Sequence, residues 1–364
     1  MVPTALDHHA LLRPVLNGFR VTISTRVTEH GEQIKKEGFS LSPLRLRRGG
    51  MNPFRELQTF IDIFRAIKRE RPDIIHLVGL KLILYGSLAA LFNPHVIKVS
   101  AVSGLGTMFT SPHKGKGLIK SAVVFSLRML LKRPSSWVIV QNQDDLQTFK
   151  EMTRPGHTVL IPSAGVDMKQ FTAHPEPKGN VTAVLVARML GEKGIYETVS
   201  AAQILEKRGV PIRIELVGSP DPENPSSISS QTLEEWNKFD NLVWRGHQSD
   251  INEVWRNAHI AVLPSYREGF PKSLTEAMAC GRPVITTNTV GCREVIEDGV
   301  SGFIVPLYDP KVLADALQQL AEDSVLRQNM GAAARERTEK NFSDKVIISQ
   351  VFALYDRALG HKLS

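Results

Sequence analysis

Residues 260–281 read Ile-Ala-Val-Leu-Pro-Ser-Tyr-Arg-Glu-Gly-Phe-Pro-Lys-Ser-Leu-Thr-Glu-Ala-Met-Ala-Cys-Gly. The short apolar run Ile260–Leu263 predicts a buried strand. A loop holding Glu268, Gly269 and Pro271 follows it, and a helix is expected to start near Ser273. A helix N-terminus behind a glycine-containing turn offers backbone N–H groups and the positive end of a dipole, which suits a phosphate. Two carboxylates, Glu268 on the loop and Glu276 in the first helical turn, would repel a phosphate, so they point to hydroxyl recognition, and sugars present hydroxyls. The same segment fits plainer readings. Residues 273–276 match a capping box in which Glu276 caps its own helix, and Gly281 with Pro283 matches an ordinary helix stop. The local pattern leaves both open.

A second turn of this kind lies upstream, at 186–194, Val-Ala-Arg-Met-Leu-Gly-Glu-Lys-Gly. A strand ends there, Arg188 and Lys193 follow, and a helix begins near Ile195. Arg188 can grip phosphate oxygens bidentately while Lys193 adds a compact charge. An isolated pair of this sort is usually just solvated. Two phosphate-friendly strand-to-helix turns in one stretch weigh against that.

The rest of the chain alternates in the same way, which predicts βαβ units and parallel sheets. Strands are expected at 20–25, Ile74–Val78, Ile97–Val102 and 137–141, and then at 182–187, 213–217, 242–244, Ile260–Leu263, 283–286 and 303–305. Helices are expected at 54–69, Ile195–Lys207, 273–280, 311–322 and 343–359. Within 54–69 the apolar face is Phe54, Leu57, Phe60, Ile61, Phe64 and Ile67. A Pro- and Gly-rich stretch at 162–180 marks a hinge. Three parts result: an N-terminal Rossmann-like domain at 1–170, a second at 171–342, and a returning helix at 343–364. Two open sheets joined by a hinge are expected to place a ligand cleft at the carboxyl ends of their strands.

Composition narrows the function. At 364 residues, with 42% hydrophobic and 23% charged, the chain has the make-up of a globular protein of two domains. Its two cysteines, Cys280 and Cys292, are too few for a zinc site and fit buried thiols in a reducing compartment. The first residues carry no secretory pattern, and the longest apolar run, 82–92, is too short to span a bilayer. The net charge of +8 is lopsided: residues 1–170 hold 24 Lys+Arg and 12 Asp+Glu, the remainder 21 and 25. Within the basic half, 113–133 mixes Lys114, Lys116, Lys120, Arg128, Lys132 and Arg133 with Leu118, Ile119, Val123, Val124, Leu127, Leu130 and Leu131. Such a helix either lies on anionic lipid or is buried in its own domain with a charged rim; the charge asymmetry favours the membrane. Arg45, Arg47 and Arg48 beside Met51 and Phe54 form a second expected contact.

Arg188 with Lys193, Gly218 after a strand, and the run from Glu268 through Gly269, Phe270, Pro271, Lys272, Ser273 and Leu274 to Glu276 together resemble the donor-binding signature of the retaining family-four (group 1) glycosyltransferases. Residues 161–167 with Phe171, 295–299 and 302–306 resemble further pieces of that family. His76 to Lys81, Tyr85-Gly86 and Ser103-Gly104-Leu-Gly106 resemble the branch that builds bacterial surface glycans on undecaprenyl-diphosphate carriers.

The resemblance implies the two-Rossmann GT-B fold and a UDP-sugar donor, with GDP not excluded by the residues. It implies Arg188 and Lys193 on the donor diphosphate, Glu276 on the ribose, Glu268 on the donor sugar, and backbone N–H groups from 269–274, with Gly218 and 243–246 flanking the nucleoside. Arg188, Lys193 and Glu268 are the expected catalytic set. The product is expected to be a hexose or N-acetylhexosamine joined to a lipid-linked or polysaccharide acceptor, on the cytoplasmic face of the inner membrane, with no nucleic-acid partner and an open oligomeric state. No cofactor and no metal are expected, since no two aspartates stand two apart.

Two departures accompany it. The first strand of this fold is expected to be short or missing, because only residues 1–4 precede the first loop. The acceptor-side position that holds a histidine in many relatives is Ser103, beside Gly104, leaving His8 or His9 as substitutes. Alternatives are a GT-B UDP-sugar epimerase and a degenerate, non-catalytic nucleotide-sugar-binding subunit. A nucleic-acid binder is disfavoured by the 7% aromatic content and the lack of a binding motif.

Overall fold

Among the described residues every pair of neighbouring strands is parallel, as expected where apolar strands alternate with helices that cover both sheet faces. The computed structural model describes residues 18–27, 31–46, 53–102 and 117–360. Among them, 18–162 with 348–360 form one unit and 163–347 the other.

The first unit runs β1 (Thr22–Thr25), α1 (Gly31–Lys36), β2 (Ser40–Pro43), α2 (Pro53–Glu70), β3 (Ile74–Val78), α3 (Leu80–Ala89), β4 (Ile97–Val102), α4 (Gly117–Leu131), β5 (Ser136–Val140), α5 (Gln143–Lys150) and β6 (Thr158–Leu160). Strands β3 to β6 pair in sequence order, and β1 pairs with β2 in a small separate sheet. The core sets Leu77, Val102, Val138 and Val140 of the sheet against Leu127, Leu131 and Phe149 of the helices.

The second unit runs β7 (Val181–Val186), α6 (Ile195–Lys207), β8 (Ile212–Val217), α7 (Ser230–Trp236), β9 (Leu242–Gly246), α8 (Ile251–Arg256), β10 (Ile260–Leu263), α9 (Lys272–Ala279), β11 (Val284–Thr287), β12 (Gly302–Val305), α10 (Pro310–Glu322) and α11 (Ser324–Asn341). Its sheet has the order β12-β11-β10-β7-β8-β9. The chain winds outward from β7 through β8 and β9, then crosses to β10 on the other side and winds outward again. The strand order therefore reverses between β7 and β10, and the loops that follow these two strands flank the crevice where such sheets bind ligands. Helix α12 (Asp344–Leu359) starts in the second unit and ends in the first.

Several expectations need correction. The units divide after Pro162 and after Ile347, not at 170 and 342, because the Val166 N–H donates to the Phe342 carbonyl (3.0 Å), the Asp344 N–H donates to Val166 (2.9 Å), and Phe171 packs in the second core. The strands β2 and β6 were not expected; β2 reads Ser-Leu-Ser-Pro, with one aliphatic residue and no apolar run, and β6 is only three residues long. The apolar face expected on α2 is not all buried: Ile63 and Ile67 face the core, while Phe54 is 78% and Leu57 55% exposed. On α4, Leu127, Leu130 and Leu131 are buried, as the reading of a helix packed in its own domain expects, while Phe125 and Met129 are exposed. Arg45 is held by both oxygens of Asp62 (2.7 and 2.8 Å). The first strand, His8, His9, Arg47, Arg48, Met51, Ser103 and Gly104 lie outside the described residues. Cys280 and Cys292 are buried free thiols, as expected.

Candidate functional site

The loop after β7 is shaped by one glycine. Residues Gly191–Lys193 make a single tight helical turn, and Gly194 then caps α6 with a φ of +73°. A side chain at Gly194 would collide with the carbonyl of Pro264, so the β7 loop and the β10 loop touch backbone to backbone. The contact is reinforced on the next residues. The Glu192 carbonyl accepts hydrogen bonds from the Tyr266 N–H (2.9 Å) and the Ser265 hydroxyl (3.1 Å), and the Tyr266 hydroxyl donates to Glu197 (2.8 Å). Burial and that carboxylate hold the Tyr266 phenol well above its ordinary pKa.

The end of β11 supports the same loop from the other side. Thr287 and Thr289 both donate their hydroxyls to the Ser265 carbonyl (2.5 and 3.1 Å), and the Glu268 N–H donates to Val290 (3.0 Å). Gly291, at φ +81°, leaves room for the carbonyls of Glu268 and Gly269. Glu268 is thereby fixed, and its carboxylate accepts from the Lys193 ammonium at 2.5 Å. The two residues come from the two loops that flank the strand-order reversal.

Arg188 stands on the β7 loop and donates to Asp221 at 2.6 Å. Asp221 lies in the segment after Gly218 at the end of β8, which folds over the β7 loop through the Gly191 N–H to Ser226 and Ile228 N–H to Met189 bonds (both 2.9 Å). Gly218, at φ +141°, can carry no side chain because the Ala187 carbonyl occupies that space. Its own carbonyl accepts from the Trp244 indole (2.9 Å). Asp221 was not among the expected residues, although a carboxylate between two prolines just beyond Gly218 is a readable signal.

Helix α9 opens at Lys272 with Pro271 as its cap residue and no side-chain cap. This overturns the capping-box reading: Ser273 is already inside the helix, and Glu276 lies in the second turn, beyond reach of that role. Glu276 is instead 6% exposed, with the Lys272 ammonium 3.6 Å away one turn back. Leu274 is buried in the core, so it can serve a ligand through its backbone only, while the partly buried Phe270 ring packs edge-on against Phe342 at 5.0 Å. The structure thus brings together Arg188, Lys193, Gly218, Glu268 to Leu274 and Glu276 along the carboxyl edge of one sheet.

The charges balance: Arg188 with Asp221, Lys193 with Glu268, and Lys272 with Glu276. An arriving diphosphate can draw on three cations and the N-terminus of α9, whose dipole favours negative charge, while the carboxylates are left to accept from hydroxyls.

Residues 167–337 match the family model for glycosyl transferases group 1, and residues 12–142 match the model for glycosyl transferase 4-like domains. A Campylobacter jejuni relative, N,N'-diacetylbacillosaminyl-diphospho-undecaprenol alpha-1,3-N-acetylgalactosaminyltransferase, is 26% identical over 91% of this chain and 89% of its own length. An Escherichia coli relative, UDP-Gal:alpha-D-GlcNAc-diphosphoundecaprenol alpha-1,3-galactosyltransferase, is 24% identical over 83% of this chain and 79% of its own. Among solved structures, Anabaena HepE in complex with UDP and glucose superimposes with a TM-score of 0.76 at 17% identity, covering 96% of this chain and 95% of that one. With glycosyl transferase models matched in both halves of the chain, group 1 over 167–337 and 4-like over 12–142, and a Rossmann-like sheet in its second unit, the protein is a glycosyltransferase of the GT-B fold.

Proposed function

We propose that this glycosyltransferase moves a hexose or N-acetylhexosamine from a UDP-sugar to a sugar carried on a lipid diphosphate, with retention at the anomeric carbon and without a metal. The observation that carries the reading is the meeting of the β7 and β10 loops, where Lys193 and Glu268 pair at 2.5 Å beside Arg188 and the start of α9. The acceptor follows from the two relatives, both named for undecaprenol-diphosphate-linked sugars, and the UDP donor from the E. coli relative and the Anabaena complex.

The chemistry follows from the charges. The bond between the anomeric carbon and the diphosphate breaks, an acceptor hydroxyl bonds to that carbon on the same face, and its proton passes to the departing diphosphate oxygen. Negative charge grows on the diphosphate, and Arg188, Lys193 and the N-terminal N–H groups of α9 are fixed where they stabilise it. Glu276 takes the ribose hydroxyls and Glu268 the donor sugar, orienting the anomeric carbon.

A lipid-borne acceptor calls for attachment to a membrane. Among the described residues no helix is long and apolar enough to cross one. The first unit instead exposes Phe92, Phe125 and Met129 alongside exposed Arg65, Lys68, Arg128, Lys132 and Arg133, the composition of a surface for anionic headgroups at the cytoplasmic face.

The test is transfer from a UDP-sugar panel to an undecaprenyl-diphosphate sugar. Lys193→Ala and Glu276→Ala should each lower kcat/KM by about 100-fold or more, and EDTA should leave the wild-type rate unchanged. Full activity in both variants would overturn the site assignment, a rate that collapses in EDTA would overturn the metal-free scheme, and UDP-sugar interconversion without acceptor would favour an epimerase.

A further inference from the structure

The first unit carries an ammonium–carboxylate pair of its own. Lys81 donates to Glu56 at 2.7 Å, and the Tyr85 hydroxyl donates to the other oxygen of the same carboxylate, also at 2.7 Å. Glu56 stands near the start of α2 and Lys81 near the start of α3, the helix that leaves the carboxyl end of β3. Gly79 makes that exit with a φ of +85°, and its N–H donates to Ala101 near the end of β4 at 3.1 Å. A side chain at Gly86 would collide with Leu77 of β3, so α3 lies close on the sheet and Tyr85 has a fixed place. The cluster therefore stands at the carboxyl edge of the first sheet, where open α/β folds receive ligands.

Its chemistry selects the ligand. The cluster sets one ammonium and one phenol on the two oxygens of a single carboxylate. Lys81 is 30% and Glu56 21% exposed, reachable by a ligand yet screened enough from water to strengthen hydrogen bonds. A sugar hydroxyl is donor and acceptor at once, and a paired ammonium and carboxylate present both functions side by side. The phenol, pushed up to about 12 by burial and by Glu56, stays a donor at neutral pH. Exposed Phe54 and Leu57 on the opening turns of α2 put apolar surface at the same end of the unit, as an acceptor on a lipid requires.

We infer that Glu56, Lys81 and Tyr85 form the subsite for the acceptor's terminal saccharide, reading its hydroxyls. The inference rests on the reading of the protein as a transferase with a saccharide acceptor.

Steady-state transfer by the full chain tests it, with donor and acceptor varied separately. The acceptors are an undecaprenyl-diphosphate sugar and the p-nitrophenyl glycoside of the same sugar. Tyr85→Phe removes one hydroxyl and keeps the ring; it should raise the KM of whichever acceptor is used about tenfold, leaving the donor KM and the Tm at wild-type values. Lys81→Met should do the same or more. Wild-type acceptor KM in both variants would overturn the subsite, as would a fall in Tm with no change in either KM, which marks a strut between α2 and α3. A wild-type enzyme that uses only the p-nitrophenyl glycoside would overturn the lipid-linked acceptor and leave the subsite to be judged by the same KM comparison.

Discussion

Gly194 shows how much of the donor site hangs on single residues. Its left-handed backbone and its contact with the Pro264 carbonyl are both incompatible with a side chain, and they set the distance between the two loops. Gly194→Ala combines a left-handed penalty of about 1–2 kcal/mol with displacement of the Lys193 turn. The expected outcome is a lower Tm and a donor KM raised about tenfold or more, read by thermal unfolding and initial rates. The cysteines behave differently. Burial pushes the Cys280 thiol up to about 12 and the Cys292 thiol up to about 11, so at pH 8 the reactive thiolate is about a thousandth of the population or less. Iodoacetamide should leave both unmodified in the native protein and alkylate both in denaturant, as mass spectrometry would show. A glycine pattern and a cysteine count were legible in the sequence. The pairings that make each residue matter, Gly194 against Pro264 and Arg188 with Asp221, were not, because each partner comes from another strand's loop.

At the scale of elements, local periodicity identified most of the strands but misread one helix face. In α2, Phe54 and Leu57 share a stripe with Phe60 and Phe64, yet the first turns extend past the core they would cover. Helix ends are also where side chains from elsewhere decide stability. The Arg282 guanidinium, 1% exposed, donates to the carbonyls of Trp255 (3.0 Å) and Arg256 (3.2 Å) at the end of α8. Helix termini leave such carbonyls unsatisfied. Arg282→Ala should therefore cost about 1–3 kcal/mol, the range for leaving buried acceptors unsatisfied, seen as a lower denaturant midpoint. Nothing in a run reading Gly-Arg-Pro announces that role, since the carbonyls belong to a helix far away in sequence.

For the whole molecule, the uneven charge becomes a statement about surfaces. The first unit carries exposed cations around Phe125 and Met129, whereas the named cations of the donor site are each matched by a carboxylate. Association with anionic vesicles should accordingly weaken as salt rises, and Phe125→Ser with Met129→Ser should reduce vesicle co-sedimentation several-fold while transfer to a soluble glycoside stays at the wild-type rate. Undiminished vesicle binding by the double variant would place the membrane contact elsewhere.

The alternation of strands and helices and the phosphate-friendly turns after β7 and β10 are written in the local sequence, because strand period, helix start and glycine turn are encoded within a few neighbouring residues. The same sequence also supplied Arg188, Lys193, Glu268 and Glu276 as residue types suited to a diphosphate and to hydroxyls. Which of them meet is set by the folded chain. Lys193 and Glu268 are 75 residues apart and pair because β7 and β10 are neighbours in the sheet, while Glu276 lost its capping role because α9 begins two residues earlier than a cap at Ser273 implies. Glu56, Lys81 and Tyr85 converge because α2 and α3 start at the same end of the first unit. Such contacts depend on strand order and helix direction, which no local pattern specifies.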